Sequence, residues 1–399
     1  MLVVYYIVLR SIPDYNKTVE LPGLISPIEI VRDTANVPHI YGDNDADIYF
    51  GLGYAHAQDR LWQLVVKRLT AQGRLSEIFG EQALPLDEFM RRLDIYSQAQ
   101  KSVDVQDDRT KRALEAYAAG INARFLEINL KSLGRGAPEL LIYNIPLASW
   151  HPADSIAILK LFAVNSSSHY AKEILRARTL ITLPDPKRVI DILPDSPELK
   201  NEMTSEVISL LDADNLIRSK KYQPKLDFFN GFVNNRLAGA SNSFAANNFR
   251  TATEGTLLAN DPHFKLSVPS QFYLAHLELS SGGIIGGTIP GIPTVIAGRS
   301  PHIGWGISAS YADDQDLYAE EINQNDDEKY KSLDGWKTFR SEETVIKIKG
   351  DNSKKIKLKW SENGPVLDKV TSQISDITPP NHEMALSWTM LTPQDTSMT

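Results

Sequence analysis

An α+β fold is expected for this chain of 399 residues, on three observations. The first half holds long segments with apolar residues at helical intervals and few breakers. The second half, from Ser241 onward, is built of Ser/Thr/Val/Ile-rich runs and alternating stretches such as Thr344-Val345-Ile346-Lys347-Ile348-Lys349. Between them lies a polar join carrying Arg218-Ser219-Lys220-Lys221, Asn234, Asn235 and Gly239. Helices and strands segregated in this way pack as layers about a shared core.

The elements follow in order. An apolar start, Met1 to Leu9, is far shorter than the ~20 residues that span a bilayer. It reads either as the trailing end of a signal or anchor or as an N-terminal strand, and the Pro-broken stretch to Pro22 as an extended lead-in. Pro27 to Arg32 and Val37 to Gly42 form a hairpin turning through Asp33-Thr34-Ala35-Asn36. Asp45 to Phe79 is one or two helices closed near Gly73 or Gly80. Arg109 to Asn129 is an amphipathic helix, and Asp154 to Ile181 another, with Asp154 as its N-cap. Four segments result: 1–25, the apolar start and lead-in; 26–215, helix-rich; 216–240, a linker; and 241–399, strand-rich.

Composition narrows the function. Hydrophobic residues at 42% and charged residues at 23% support a large core and exclude a disordered or fibrous chain. A net charge of -8 argues against binding a nucleic-acid backbone, which needs a basic stripe. Cysteine is absent, which removes disulfides, thiol nucleophiles and thiolate-ligated zinc together.

The chemistry-bearing motifs of common hydrolases are missing. There is no G-x-S-x-G elbow, phosphate-binding P-loop, H-E-x-x-H, or G-x-G-x-x-G opening a helix. The Gly282–Gly291 stretch sits between strand-like runs and reads as tight β turns. The eight histidines show no metal-ligand spacing. What stands out is Leu237-Ala238-Gly239-Ala240-Ser241-Asn242-Ser243-Phe244-Ala245, where small residues precede a serine as a joint becomes a strand. Alone, it reads as a polar turn into a strand.

Its surroundings change that reading. The chain from about Pro27 to Thr399 resembles the penicillin acylase (penicillin amidase) family of N-terminal nucleophile hydrolases. The blocks that carry the resemblance are Ile30-Val31-Arg32-Asp33 with Val37-Pro38-His39-Ile40; Gly51 to Gln63, reading GLGYAHAQDRLWQ; and Gly73-Arg74-Leu75-Ser76-Glu77. Then come Ala240-Ser241-Asn242-Ser243, Asn260-Asp261-Pro262-His263-Phe264, Gly298-Arg299 with His302-Ile303-Gly304-Trp305-Gly306, and Asp313-Asp314-Gln315-Asp316-Leu317-Tyr318, all in family order.

The resemblance implies an αββα sandwich of two stacked antiparallel sheets between helices, wrapped by the helix-rich first segment. It implies a precursor cleaved between Ala240 and Ser241, whose α and β segments remain partners. Ser241 would be the nucleophile, with its freed α-amine as the base, in hydrolysis of small linear acyl amides such as a penicillin side chain or an acyl-homoserine lactone. The backbone N–H of Ala309 would donate to the oxyanion, His263 would position or handle protons, and Asn242 would support the nucleophile. Phe264, Ala163 and Ser167 would line the acyl pocket. One structural Ca²⁺ would be held by Glu173, Asp313, the Gln315 carbonyl and Asp316, and the family's habits suggest export to the periplasm. The residue before the nucleophile is often glycine in the family, whereas here it is Ala240. The family's second oxyanion donor, a downstream asparagine, is expected beyond Thr399, so the chain is expected to be truncated at its C-terminus, a fragment of a longer protein.

Two other readings compete. One is a catalytically inactive, calcium-stabilised remnant with a binding or structural role. The other is a hydrolase using Asp313 and Asp316 as an acid and base pair.

Overall fold

The computed structural model describes residues 11–130, 136–167, 169–183, 186–192, 241–264, 266–308, 312–367 and 372–398, with Tyr5, Val8 and Leu9. The linker expected over 216–240 and most of the apolar start lie outside these residues.

The helical half follows a hairpin of β1 (Glu29–Arg32) and β2 (Pro38–Tyr41). Its helices are α1 (Asp45–Asp59), α2 (Leu61–Ala71), α3 (Ser76–Phe79), α4 (Leu84–Leu93), α5 (Ile95–Val105), α6 (Asp108–Leu130), α7 (Pro138–Tyr143), α8 (Pro152–Ser166), α9 (His169–Thr182) and α10 (Pro186–Ile192). The strands continue with β3 (Ser241–Ala246), β4 (Leu257–Pro262), β5 (Tyr273–Leu279), β6 (Gly282–Ile289), β7 (Ile292–Arg299), β8 (Gly304–Trp305) and β9 (Gln315–Asn323). They end with β10 (Asp326–Ser332), β11 (Gly335–Thr338), β12 (Arg340–Ile346), β13 (Lys354–Ser361), β14 (Gly364–Pro365), α11 (Ser372–Ile377) and β15 (His382–Trp388).

The mixed helix and strand content is α+β, as expected. Strands β1-β2-β5-β6-β7-β8 form one sheet, β11-β10-β9-β15 a second, β12-β13-β14 a third, and β3-β4 a separate pair. The sheets are antiparallel except where β2 lies parallel to β5, so the early hairpin is docked onto strands more than 200 residues away in sequence.

Local chemistry explains the boundaries. Gly73, at φ 60, closes α2 in a conformation that a Cβ disfavours. Gly282 and Gly291, both at φ 107, bracket β6 and the tight turn into β7, as the glycine-dense stretch predicts. One expectation is corrected: Asp154 does not cap α8 as N-cap. His151 does, Pro152 follows it, and Asp154 sits at N3, its carboxylate accepting from the His151 N–H at 2.8 Å. Proline at the first helical position moves the start two residues upstream, and the aspartate completes a capping box. The predicted helix over 154–181 is also two helices, because α8 ends with Ser167 in extended backbone.

Two apolar cores meet along α8. Ile158 joins the core of α1, α2, α6 and the six-stranded sheet, while Ile156, Ala157 and Leu161 join the core of α4, α5, α9 and β15. Helices α1 and α6 approach closely at a reciprocal glycine contact: a Cβ on Gly53 would lie 2.1 Å from the Tyr117 carbonyl oxygen, and one on Gly120 would lie 1.9 Å from that of Phe50.

A buried chain of hydrogen bonds ties this helix pair to the sheet. The Gly291 N–H donates to the Tyr117 hydroxyl oxygen (2.9 Å), which lies 2.7 Å from His56 Nδ1. His56 Nε2 lies 2.9 Å from Thr288 Oγ1, and that hydroxyl donates to the Tyr273 carbonyl at 2.6 Å. A carbonyl only accepts, so the Thr288 hydroxyl must accept from His56 Nε2–H; Nδ1 then accepts from Tyr117. Every hydrogen in the chain is assigned, and His56 is neutral. Burial, with the Lys67 and Arg60 charges adding to it, holds its pKa well below the usual histidine value. A second lock gathers the lead-in: Glu127 accepts from Lys17, Tyr54 and Arg124 at 2.7 to 2.9 Å. Burial opposes ionisation of Glu127, but these three bonds outweigh it and hold its pKa at about 2.

Replacing His56 by Leu removes the acceptor of the buried Tyr117 O–H and the ring N–H that Thr288 Oγ1 accepts from, and is expected to cost roughly 2–5 kcal/mol in denaturant unfolding; a cost under about 1 kcal/mol would contradict the chain of bonds. The folded-state pKa is depressed, so this contribution is present above the unfolded value of about 6.5 and is lost as pH falls below it. The loss of stability on acidification from about pH 6.5 should therefore be shallower in His56→Leu than in the unaltered protein.

Candidate active site

Ser241 is the first described residue of β3, and the antiparallel partner β4 fixes its surroundings: Ser241 faces Pro262, Asn242 faces Asp261, and Ser243 faces Asn260. Antiparallel pairing places the end of β4, with His263 and Phe264, beside the start of β3.

Asn260 organises the region. Its Nδ2 donates to the Asn242 carbonyl (3.2 Å) and to the Ile307 carbonyl (2.8 Å), while its Oδ1 accepts from the Ile307 N–H (3.0 Å). One side chain thus joins β3 to the segment after β8, and the adjoining Ser308 hydroxyl donates to the Ser241 carbonyl at 3.4 Å. The clamp needs a glycine next to it, since a Cβ on Gly306 would lie 2.6 Å from Asn260 Cγ. The next residue, Ala309, and the residue before the serine, Ala240, lie outside the described residues.

His263 is held by its own strand pair. Its Nε2 lies 2.9 Å from Asp261 Oδ2 and 3.4 Å from Asn242 Nδ2. The aspartate orients the ring, and the Asn242 amide borders it. The backbone N–H of Phe264 donates to the Pro262 carbonyl (3.0 Å), which turns its ring into an aromatic group: 5.9 Å from Phe162 of α8 and 5.5 Å from Phe272 between ring centres.

The expected pocket residues are distributed differently. Phe162, not its neighbour Ala163, meets Phe264, while Ala163 packs on the second core and Ser167 Oγ lies 3.5 Å from Asp314. Helical geometry accounts for the difference, since successive side chains point about 100° apart around the axis. Asn260, Asp261, Ser308, Phe162 and Phe272 are contributors that the sequence reading left without a role. Asn260 and Asp261 stand inside a quoted block, but nothing in their spacing says that an amide would reach across to residue 307.

The acidic group lies between α9 and the start of β9. Burial raises the pKa of Glu173, the neighbouring Arg176 charge and the Leu317 N–H lower it, and the charges of Asp316 and Asp313 push it up again. Glu173, Asp313 and Asp316 therefore share one electrostatic environment, with Arg176 2.8 Å from Glu173. The oxygen-only donor set suits a hard cation such as calcium. Among the described residues no three His, Cys, Asp or Glu side chains close into a metal shell. Gln315 is buried and its side-chain oxygen accepts from the Tyr170 N–H at 2.9 Å, leaving its carbonyl as the donor the resemblance names. Asp314 is engaged elsewhere, accepting from Trp388 Nε1 at 3.0 Å and facing His169 at 3.4 Å. No helix among the described residues is long and apolar enough to cross a membrane.

A family model described as penicillin amidase matches residues 27–399. An acyl-homoserine lactone acylase, QuiP, of Pseudomonas aeruginosa is 29% identical over 385 residues, covering 93% of this chain and 43% of the relative. A penicillin acylase 2 proenzyme of a Pseudomonas species is 28% identical over 331 residues (79% of this chain, 40% of the relative), and a penicillin G acylase of Escherichia coli is 24% identical over 387 residues (86% and 46%). The chain thus spans less than half the length of these relatives. A solved structure of a thermostable penicillin G acylase from Alcaligenes faecalis aligns with a TM-score of 0.37 at 20% identity, over 46% of this chain and 96% of that one. With the family model matching over 27–399, the chain belongs to the penicillin amidase family.

Proposed function

We propose that this protein hydrolyses linear acyl amides with Ser241 as nucleophile, after cleavage of its own chain at the Ala240–Ser241 bond. The observation that carries this reading is the clamp of Asn260, which holds the 306–308 segment against the strand that Ser241 opens. An acyl-transfer site needs a hydroxyl and a backbone donor fixed relative to each other, and one side chain spanning both segments provides that fixity.

Cleavage begins when Ser241 Oγ attacks the Ala240 carbonyl and the peptide nitrogen leaves as the α-amine; water then hydrolyses the ester. The freed amine, with an ordinary pKa of ~7.7–8.0, is partly neutral near pH 7–8 and takes the Ser241 hydroxyl proton directly or through one water. In turnover, Oγ forms an ester with the acyl group, the amine hands its proton to the departing nitrogen, and water releases the acid. The backbone N–H of Ala309, directly after Ser308, would donate to the oxyanion. His263, oriented by Asp261, borders the nucleophile strand through Asn242 and would position it. The rings of Phe162, Phe264 and Phe272 favour an apolar acyl group, aryl or alkyl. Relatives are named as penicillin acylases and acyl-homoserine lactone acylases, and both are candidate substrate classes here. The layering is read as the αββα sandwich, and the protein as an exported one.

A calcium ion would be held by Glu173, Asp313, Asp316 and the Gln315 carbonyl, with Glu173 exchanging Arg176 for the ion. Bound there, it would tie α9 to the start of β9 and stabilise the joined segments.

Three outcomes test the reading. Ser241→Ala should leave the chain uncut and lower turnover of a chromogenic acyl anilide roughly 10⁴-fold or more; a cut chain or retained turnover would overturn it. Gly306→Ala, which forces Asn260 aside, should reduce kcat by about 10²-fold at unchanged stability of the remainder, whereas unchanged kcat would mean the clamp is not part of the machinery. Millimolar Ca²⁺ after EGTA treatment should raise Tm by a few degrees in the unaltered protein and not in Asp316→Asn; equal melting with and without calcium would remove the metal from the scheme.

A further inference from the structure

A second site lies on the six-stranded sheet, away from the β3-β4 pair. Where β2 runs parallel to β5, His39 and His276 are direct register partners. Their Nδ1 atoms lie 3.2 Å apart, and their ring planes meet at 69°. The outer nitrogens point the other way. His39 Nε2 lies 3.5 Å from Asp33 Oδ2, and His276 Nε2 lies 3.3 Å from Glu278 Oε2. The order across the strands is carboxylate, imidazole, imidazole, carboxylate.

That order constrains the hydrogens. With each Nε2–H turned to its carboxylate, each Nδ1 is left as a lone pair. The two Nδ1 lone pairs then lie 3.2 Å apart, an arrangement that a positive centre beside both would stabilise. Ligating histidines characteristically turn the other ring N–H to a carboxylate, which fixes the tautomer and raises ligand basicity. Both rings here have that support. Two imidazole nitrogens, each 2.0–2.1 Å from a tetrahedral metal, are separated by about 3.3 Å, close to the observed spacing.

We propose that His39 and His276 bind one borderline divalent transition-metal ion, of the zinc or copper type, through their Nδ1 atoms. No third His, Asp or Glu converges on the pair among the described residues, so water completes the shell. The side chains are 25% and 17% exposed, which leaves a path for the ion and its waters. Asp33 and Glu278 supply two negative charges around it, Arg299 on β7 opposes them, and Tyr41 packs edge-on against His276. The ion would join the early hairpin to the main sheet at their parallel seam. Imidazole donors select this class of metal over calcium or magnesium.

The test uses the unaltered protein, freed of metal by chelation, with Cu²⁺ as a spectroscopic probe and Zn²⁺ as a calorimetric one. Electron paramagnetic resonance of one equivalent of Cu²⁺ should show two coordinated imidazole nitrogens, and Zn²⁺ titration should give one site competed by Cu²⁺. His39→Gln and His276→Gln should each weaken Zn²⁺ binding by more than about tenfold, and Asp33→Asn, at an exposed turn, by about tenfold. Circular dichroism confirms that each variant is folded. Coupling to one nitrogen or none, or affinity unchanged in both glutamine variants, would overturn the proposal. So would absence of binding at micromolar metal, the pair then sharing a proton alone. None of these readouts depends on amide hydrolysis.

Discussion

Neutral His56, fully buried between α1, α6 and the main sheet, is the constraint on which the layout rests. It is a polar group that spans the helical and strand-rich halves with every hydrogen assigned. Its partners determine where the sheet lies: Thr288 is on β6, and Tyr117 accepts from Gly291 in the turn into β7. From β7 the connection continues outward. Trp305 Nε1 donates to the Val295 carbonyl at 3.1 Å, fixing β8, and two residues later Ile307 meets Asn260. A buried imidazole and the strand bearing Ser241 are thus linked through a short run of specific bonds. Its inner part, from Tyr117 through His56 to Tyr273, is buried, and in a low-dielectric interior it cannot be satisfied in part without large cost, which is why it also defines one arrangement of the layers.

A buried charge is handled differently. Lys160 is fully buried, yet its ammonium donates to the carbonyls of Met390 (2.8 Å) and Thr392 (3.3 Å) and pairs with Asp395 at 2.7 Å. Burial lowers its pKa, and the Asp395 charge and bond act in the opposite direction. The consequence is structural: residues 389–395 are drawn against α8, the same helix that presents Phe162 to the aromatic group. Positions far apart in sequence thereby share one helix as their reference.

Much of this was legible in the sequence because the signals are local. The hairpin over residues 29–41, the closure at Gly73 and the turns at Gly282 and Gly291 each follow from a residue whose backbone preference decides the outcome. The start of α8 was misplaced by two residues because a good N-cap type, Asp154, competes with a proline two positions earlier, and the capping box settles it. Contacts between distant segments were not legible. Nothing in a histidine at 39 and another at 276 signals that parallel pairing makes them neighbours. The same holds for Asn260 reaching Ile307, and for Phe162 rather than Ala163 facing Phe264, where the helix phase relative to the sheet decides. Serine 241 itself came from resemblance, since no spacing around it marks a nucleophile.

The chemistry assigned to Ser241 requires its own amine to be free. Amino-terminal sequencing of the purified, folded protein is the most direct measurement of that requirement. A second amino terminus beginning Ser-Asn-Ser-Phe, in equal amount to the first, is the predicted result. A protein that turns over an acyl amide while residue 241 remains in peptide linkage to Ala240 would contradict it.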